Sequence, residues 1–361
     1  MFNCLKDFLS ERFLKVRVGS YISSAYIQEE GIPQGSVLSP TLFNVAINGL
    51  LNQVPVGVHG LAFADDYAVI CSGSTAVEVC RKIQSAINAA TAWASTRGFK
   101  FSPEKTKAIR FCRLRRKEEI PTLFLEETIL PYEDHIKYLG MVLDQRLTFA
   151  FHINEVVRNV KLRLNILKVV SSFNWGADRI TLLRMYQALC LSKMEYGCQI
   201  YGSACKTTLA KLDVLHNMAL RICTGAYRTS PVESLYVDSG FPPLYIRREE
   251  LGLRYLSRVL TSKSNPNYKF VKQPNDRAPS RSRLPKPLEV RLADSASHIG
   301  LLPPSVAEVC PPKYPPWVRP NIEICHDRGD KKNKSDAELK ASFLDHVPKH
   351  GNSLAIYTDG S

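Results

Sequence analysis

The chain has 361 residues, 45% of them hydrophobic, which is enough for two or three domains with buried cores. Its net charge of +14 indicates an anionic partner, and a nucleic acid is favoured over an acidic membrane surface. A basic surface without a dedicated partner is the alternative. The ten cysteines contain no C-x-x-C pair, which argues against a zinc site and favours free thiols in a reducing compartment.

The first thirty residues predict a helix followed by a hairpin. Apolar residues fall on one helical stripe over residues 3–13. Polar and apolar residues then alternate over 14–18 and 21–27 around Gly19-Ser20, which is typical of two strands and their turn. We find no signal peptide, since Met1 is followed by a charged amphipathic segment.

The stretch Gly31-Ile-Pro-Gln-Gly-Ser-Val-Leu-Ser-Pro40 predicts a tight loop that leads into a helix. Its glycines and prolines favour a backbone that can approach a ligand closely. Ser39 is a candidate N-cap, with Pro40 at the first helical position. Residues 31–64 contain no charged side chain, but interrupting Pro, Asn, Gln and Gly residues favour buried protein interior over a membrane span.

The sequence Leu61-Ala-Phe-Ala-Asp-Asp-Tyr-Ala68 is the strongest candidate for chemistry. Residues 59–64 and 67–71 favour strands at the edge of a core, and Asp65 and Asp66 favour the turn between them. Two carboxylates about 4 Å apart repel by roughly 4 kcal/mol at an effective dielectric constant of about 20, a cost that a divalent cation offsets. Carboxylate oxygens are the ligands that Mg²⁺ prefers. An ordinary Asp-containing hairpin turn is the alternative.

The residues after this hairpin predict a helix packed on a sheet. Thr75 begins the helix as the N-cap of a capping box with Glu78, and Gly98 ends it. Many Lys and Arg side chains follow between residues 105 and 117. Three strands are predicted in this part of the chain, over 108–112, 122–125 and 136–143.

From Phe151 the hydrophobic period becomes helical. The predicted helices cover the apolar stripe from Ile153 to Leu167 and the segments Asp178–Lys193, Thr207–Cys223 and Ile246–Leu260. Basic side chains along these helices predict that they bind a phosphate backbone, although each side chain is equally compatible with a solvated surface charge. Residues 262–345 are rich in Pro, Ser, Lys and Arg and predict an irregular connection. Residues 354–361 begin a new strand, so we expect the chain to be truncated there.

Three segments, in this order and at this spacing, resemble the reverse transcriptases of non-LTR retrotransposons, in particular the jockey-like LINE elements of animals. They are Gly31–Pro40, Phe63-Ala-Asp-Asp66 and Tyr138-Leu-Gly-Met-Val-Leu-Asp144. The ordered set is far more specific than any one of its members. Residues 98–107 resemble the family's next motif, and Ile356–Ser361 resemble the first strand of a ribonuclease H domain.

The resemblance implies an α+β fold of the right-hand polymerase type. It would comprise a partial palm and fingers, built as an antiparallel sheet with packed helices, then a helical thumb-like region and an irregular linker. The corresponding boundaries are 1–147 for fingers and palm, 148–260 for the thumb, 261–350 for a partly disordered linker and 351–361 for the start of a ribonuclease H-like domain.

The family also implies an RNA-directed DNA polymerase. Such an enzyme transfers nucleotides from dNTPs to a DNA primer 3′-OH on an RNA template with two Mg²⁺ ions. In that scheme Asp65 binds the catalytic metal and Asp66 supports it. The other site residues carried over are Pro33, Gln34, Gly35 and Ser36 for nucleotide and template, Lys105 for the leaving phosphates or simply the backbone, and Asp359 as a ribonuclease H remnant.

One departure from the family pattern affects the expected activity. These polymerases need a further aspartate on an earlier palm strand, and no acid in residues 1–30 has that context. We therefore expect that this polypeptide alone neither polymerises nor cuts RNA. A non-catalytic RNA- or DNA-binding remnant of an element is the alternative, and an unrelated metallo-hydrolase is a third reading of the Asp pair. The family implies an intracellular protein, nuclear or cytoplasmic, without a membrane partner; the oligomeric state stays open.

Overall fold

A computed structural model of the chain describes residues 2–28, 30–112, 119–272 and 286–300. All of them belong to one of the two units into which the chain divides, Met1–Glu308. Within these residues, helices are mixed with five separate antiparallel strand pairs. The α+β class is therefore confirmed, while the sheets are smaller than the single palm sheet that the resemblance implied.

The described helices are α1 (Phe2–Leu9), α2 (Ser39–Ile47), α3 (Ala76–Thr96), α4 (Ala150–Val170), α5 (Arg179–Tyr186), α6 (Ser192–Glu195), α7 (Cys198–Tyr201), α8 (Lys206–Thr224), α9 (Val232–Ser239), α10 (Leu244–Leu260), α11 (Tyr268–Lys272) and α12 (Leu288–His298). A 3₁₀ helix covers Asn48–Gln53, and a π-helical turn covers Gln187–Leu191. The described strand pairs are β1 (Phe13–Leu14) with β4 (Tyr26–Ile27), β2 (Arg17–Val18) with β3 (Tyr21–Ile22), β5 (Val58–Phe63) with β6 (Asp66–Cys71), β7 (Leu123–Leu125) with β8 (Thr128–Leu130), and β9 (His135–Tyr138) with β10 (Met141–Asp144).

Strands β1–β4 form two nested hairpins. β2 pairs with β3 across Gly19-Ser20, and β1 pairs with β4 outside them. Gly19 has a φ of +62°, a left-handed conformation that glycine adopts without a Cβ clash. The predicted hairpin is confirmed, but the preceding helix ends at Leu9, because Phe13 pairs with Ile27 instead. Every residue of the four strands is exposed.

Helix α3 has the ends that the sequence predicts. The Thr75 hydroxyl accepts a hydrogen bond from the Glu78 N–H at 3.3 Å, and Gly98 follows the last turn with a φ of +74°. A small core forms where α3 meets β7 and β8. Its buried members are Cys80, Leu123, Leu125 and Leu130.

Two strand predictions are wrong. Within residues 108–112, only Ala108 makes a bridge, because backbone groups bond to loops instead, such as the Cys112 N–H to the Gln145 carbonyl at 3.0 Å. The strand predicted over 136–143 is the hairpin β9–β10. Its turn is Leu139-Gly140, with φ values of +45° and +80°, and a leucine in the left-handed region is not a turn signal that sequence reasoning expects.

The largest core lies among the helices from α4 to α10. The stripe predicted on α4 is buried at Ile153, Val156, Val160, Leu164 and Leu167. The helices predicted further on correspond to α5 with its π-helical turn, α8 and α10, whereas the short helices α7 and α9 were not predicted. The eight described cysteines are free thiols.

The prediction that residues 31–64 form buried interior is wrong. Only Leu50 and Val58 are buried, and Val56 is 98% exposed. Burial depends on which element packs above a segment, and apolar composition alone does not supply that element. None of the described helices combines the length and apolar character needed to cross a membrane.

The segment predicted as an irregular linker contains two helices in its described part, α11 and α12. Leu292 and Ala296 of α12 pack against Leu256 and Val259 of α10. The rest of that linker, residues 273–285 and 301–350, lies outside the described residues. So does the predicted ribonuclease H start, residues 351–361.

Candidate functional site

The acidic pair lies at the end of the β5–β6 hairpin. Phe63 pairs with Asp66, so the loop between the strands is Ala64-Asp65. Ala64 has a φ of +51°, as both favoured two-residue hairpin turns require at this position. Asp65 and Asp66 are exposed. The flanking strands are half-buried, so the core expected beneath the pair is thin.

The two carboxylates are available to bind a cation. Among the described residues, no side chain donates a hydrogen bond or forms an ion pair to either one. Mg²⁺ is commonly held by one or two carboxylates, with water and substrate phosphates completing its shell. The described part of the chain holds no group of three or more His, Cys, Asp or Glu that could bind a metal ion. The pair thus fits a magnesium ion whose shell is completed by substrate oxygens.

The loop predicted to approach a nucleotide is closed by its own hydrogen bonds. The Ser39 hydroxyl donates to the Pro33 carbonyl at 2.5 Å, and the Leu38 N–H donates to the Ser36 hydroxyl at 3.3 Å. Gly35 has a φ of +88°, and Gln34 beside it is exposed. The N-cap prediction is wrong by one residue: α2 begins at Ser39, whose side chain closes the loop rather than capping the helix.

Aromatic contacts connect α2 to the acidic hairpin. Phe43 of α2 meets Phe99 with ring centroids 6.2 Å apart, and Phe99 stacks on Trp93 at 5.9 Å. Two residues later, Phe101 packs on Tyr67 at 5.9 Å, and Tyr67 follows Asp66 directly. Burial in this contact raises the pKa of the Tyr67 phenol. The segment 99–101 therefore contacts both α2, which follows the loop, and Tyr67, which follows the acidic pair.

Lys105 lies exposed in the turn after Phe101. The Thr106 N–H and hydroxyl close this turn by donating to the Ser102 carbonyl at 3.1 and 2.7 Å. The neighbouring Lys107 pairs with Glu133 at 2.9 Å. Among the described residues, Lys105 has no such carboxylate partner, so its ammonium group is available to an external anion.

Tyr138 links the third motif to the acidic pair. Burial raises the pKa of its phenol, and the nearby Asp66 carboxylate raises it further. Tyr138 pairs with Met141 across the turn Leu139-Gly140. The Tyr138 phenol therefore lies close enough to the Asp66 carboxylate for an electrostatic interaction between the second and third motifs, which their sequence order alone did not establish.

The Leu139-Gly140 turn is held from the helical region by Tyr196. The Tyr196 hydroxyl donates to the Leu139 carbonyl at 2.6 Å. A Cβ atom on Gly140 would lie 3.1 Å from the Tyr196 ring. Glycine at this position thus allows both the turn and the close approach of the ring.

Asp144, the last residue of the third motif, has a structural role. It is buried and accepts hydrogen bonds from the N–H groups of Thr148 and Phe149 at 3.0 and 2.8 Å. The Val142 N–H donates to His152 Nδ1 at 3.3 Å. These bonds fix β10 on the beginning of α4, so Asp144 is not a candidate metal ligand.

Sequence reasoning found the acidic pair but missed Tyr138 and Tyr196. Tyr138 is the first residue of the third motif, Tyr138–Asp144, and this motif is the sequence signal that points to it. No sequence signal connects Tyr196 to a carbonyl 57 positions earlier in the chain. Asp359, the predicted ribonuclease H remnant, lies outside the described residues.

Comparison with known proteins shows which family the segment around this site resembles. Residues 1–143 match the family model described as reverse transcriptase (RNA-dependent DNA polymerase). That segment contains the loop 33–36, the acidic hairpin and most of the third motif. The resemblance predicted from the motifs is therefore confirmed for this part of the chain.

The similar proteins come from insect mobile elements. The chain is 28% identical over 270 residues to the RNA-directed DNA polymerase from mobile element jockey of Drosophila melanogaster, covering 71% of this chain and 28% of that protein. It is 30% identical to the probable RNA-directed DNA polymerase from transposon X-element of the same species, over 62% of this chain and 25% of the relative. It is 26% identical to a Pol polyprotein from the type-1 element R1 of Nasonia vitripennis, over 59% and 65%.

The chain thus spans only about a quarter of the length of its jockey and X-element relatives. No solved structure matches it. The chain is thus similar to reverse transcriptases of the jockey-like, non-LTR type.

Proposed function

We propose that this chain is the part of a non-LTR retrotransposon RNA-directed DNA polymerase that carries the catalytic acidic hairpin. The reaction is nucleotidyl transfer from a dNTP to a DNA primer 3′-OH on an RNA template. The observation that carries this proposal is the exposed Asp65-Asp66 pair at the end of β5–β6, inside the segment that matches the reverse transcriptase family.

In this proposal, the chain's own residues place the reacting groups. Asp65 and Asp66 hold Mg²⁺ at the hairpin end. When bound, the metal lowers the pKa of the primer hydroxyl and offsets the charge on the phosphates. The loop Pro33–Ser36 faces nucleotide and template with its exposed residues Gln34 and Gly35, and Lys105 meets the leaving phosphates.

The larger architecture follows the same proposal. Residues 1–147 are the partial fingers and palm, and the helical region 148–260 is the thumb that holds the template–primer duplex. Positive side chains on that region contact phosphates and so make binding dependent on salt. A protein with these partners acts inside the cell.

A second candidate function is nucleic-acid binding without catalysis. Among the described residues, no third His, Cys, Asp or Glu joins Asp65 and Asp66 to form a metal-binding group. This observation favours a remnant that binds template and primer but transfers no nucleotide.

Primer extension distinguishes the two candidates. The full chain is incubated with an RNA template, a DNA primer, dNTPs and Mg²⁺. If it polymerises, we expect Asp65→Asn to lower incorporation by about 100-fold or more, because a lost metal ligand removes several kcal/mol of transition-state stabilisation. Duplex binding is expected to stay within about twofold, since one carboxylate adds no phosphate contact.

Asp238→Asn is the matched control, because Asp238 is an exposed aspartate on α9, outside the segment that matches the family model. It is expected to leave incorporation unchanged. A wild-type chain that binds the duplex in a salt-dependent manner yet extends no primer establishes the second candidate. Extension that survives Asp65→Asn contradicts the role of the acidic pair.

A further inference from the structure

The loop between α4 and α5 presents two aromatic side chains to solvent. Phe173 is 103% exposed and Trp175 is 67% exposed. Large exposed apolar groups that lie close together mark binding surfaces more often than solitary ones do. The proposed polymerase mechanism makes no use of these side chains.

The loop that carries the two rings is tightly closed. The Ala177 N–H donates to the Val170 carbonyl at 2.9 Å, and the Gly176 N–H donates to the Ser172 carbonyl at 2.8 Å. A Cβ atom on Gly176 would lie 2.2 Å from that carbonyl oxygen, so only glycine allows this closure. The rings therefore project from a fixed base, which lowers the entropy lost when a ligand binds.

The base of the loop is also fixed on the α5 side. The Asp178 carboxylate accepts hydrogen bonds from the N–H groups of Ile180 and Thr181 at 2.9 and 3.1 Å. Asp178 thus serves as the N-cap of α5, and its negative charge stabilises the N-terminal end of the helix dipole.

Positive charge leads along α4 to this loop. Arg158, Lys161 and Lys168 are exposed, and their spacing places them within one side of the helix. The sequence from residue 156 to residue 177 contains no Asp or Glu. The surface near the rings therefore complements an anionic ligand. Its positive charges are spread along the helix, as phosphates are spread along a nucleic-acid strand, which favours a nucleic acid over an acidic protein segment.

We propose that the loop 171–176 is a stacking platform for unpaired bases of a single-stranded nucleic acid, whose backbone the side chains of Arg158, Lys161 and Lys168 attract. Aromatic rings beside a basic groove are the arrangement by which proteins hold single strands without sequence preference. This inference deepens the proposed function, since it assigns the unpaired template beside the duplex to this loop.

The experiment measures binding of the full chain to a fluorescein-labelled oligo(dT). Phe173→Ala and Trp175→Ala are each expected to weaken binding by about fivefold or more, the effect of losing one stacked base. The salt dependence is expected to keep its slope, because no phosphate contact is lost. Lys161→Gln with Lys168→Gln is expected to reduce that slope by about 0.7 for each contact. Quenching of Trp175 fluorescence by oligo(dT) gives a second signal.

Three controls keep this test specific. Trp175→Phe, which retains an aromatic ring, is expected to restore most of the affinity lost in Trp175→Ala. Tyr227→Ala removes an equally exposed ring from another loop and is expected to leave binding unchanged. An abasic oligonucleotide keeps the phosphates but lacks bases, so we expect it to bind wild type at least as weakly as oligo(dT) binds Trp175→Ala, because stacking on both rings is lost.

Wild-type affinity for oligo(dT) in both alanine variants overturns the proposal, as does equal binding of the abasic strand. A dimer in sedimentation velocity that Trp175→Ala dissociates, without Trp175 quenching by oligo(dT), assigns the surface to a second copy instead and also overturns it. The effect of Asp65→Asn on primer extension and the binding of a blunt RNA–DNA duplex report on the proposed function separately, because Asp65 lies outside the loop and a blunt duplex has no unpaired base to stack on Phe173 or Trp175.

Discussion

Gly140 meets two requirements at one backbone position. Its φ of +80° lies in the left-handed region, and the Tyr196 ring occupies the space into which a side chain would project. The turn directly follows Tyr138, whose phenol interacts electrostatically with the Asp66 carboxylate. Gly140 therefore allows the helical region to hold the turn that follows Tyr138.

Gly140→Ala is expected to destabilise the fold by about 2 kcal/mol, because it adds both a backbone penalty and a contact with the ring. Gly98→Ala is the matched control. Gly98 also has a positive φ, but nothing lies within 4 Å of an added Cβ atom, so we expect a loss of about 1 kcal/mol. Urea denaturation of the two variants measures the difference. Equal losses would contradict the role assigned to Tyr196.

At the level of elements, α4 shows how far a hydrophobic stripe determines packing. Leu164 is 1% exposed in the largest core, whereas Leu162 on the same helix is 63% exposed. The two residues have the same chemistry and differ only in the face they occupy.

Leu164→Ala is expected to cost about 3 kcal/mol in the free energy of unfolding, because it removes buried methyl groups and leaves a cavity. Leu162→Ala is expected to change that free energy by less than about 0.5 kcal/mol. Denaturant titrations of both variants provide the test. A large effect of Leu162→Ala would show that another surface covers that face.

The elements that sequence reasoning predicted well have a local cause. The acidic hairpin, the Thr75 cap and the α4 stripe follow from residue period and turn chemistry within a short stretch. The β9–β10 turn was missed because Leu139 adopts a left-handed conformation in the middle of an apolar run. The prediction that residues 31–64 are buried was wrong, because burial depends on elements that are distant in the sequence. For the same reason the acidic pair could be predicted, and its electrostatic interaction with Tyr138 could not.

At the scale of the whole molecule, the helical core contains a histidine that resists protonation. His216 is buried, and its Nδ1 is hydrogen-bonded to the Tyr186 hydroxyl. Burial is the main cause that lowers the pKa of His216 from 6.5 to about 4. The folded chain therefore keeps this ring neutral in mildly acidic solution.

The pH dependence of stability follows from that shift. Between pH 6.5 and about 4, the unfolded chain binds a proton at His216 and the folded chain does not. Its stabilising effect is thus complete above pH 6.5 and is lost progressively down to about pH 4, by about 3 kcal/mol. Denaturant titrations across this range are expected to show a shallower decline for His216→Asn than for wild type. The control is His298→Asn, at an exposed site, and a decline unaltered by His216→Asn would contradict the assignment.

The nested hairpins at the N-terminus have a practical consequence for anyone who purifies this protein. No described strand pairs with the outer edges of β1 and β4, and their apolar side chains face water. Such edges pair with strands of neighbouring molecules in concentrated solution, so we expect the protein to aggregate and the solution to become turbid during storage. Repulsion between the positive charges of Lys15 and Arg17 on neighbouring molecules opposes this pairing. A buffer of low ionic strength preserves the repulsion, and added salt screens it.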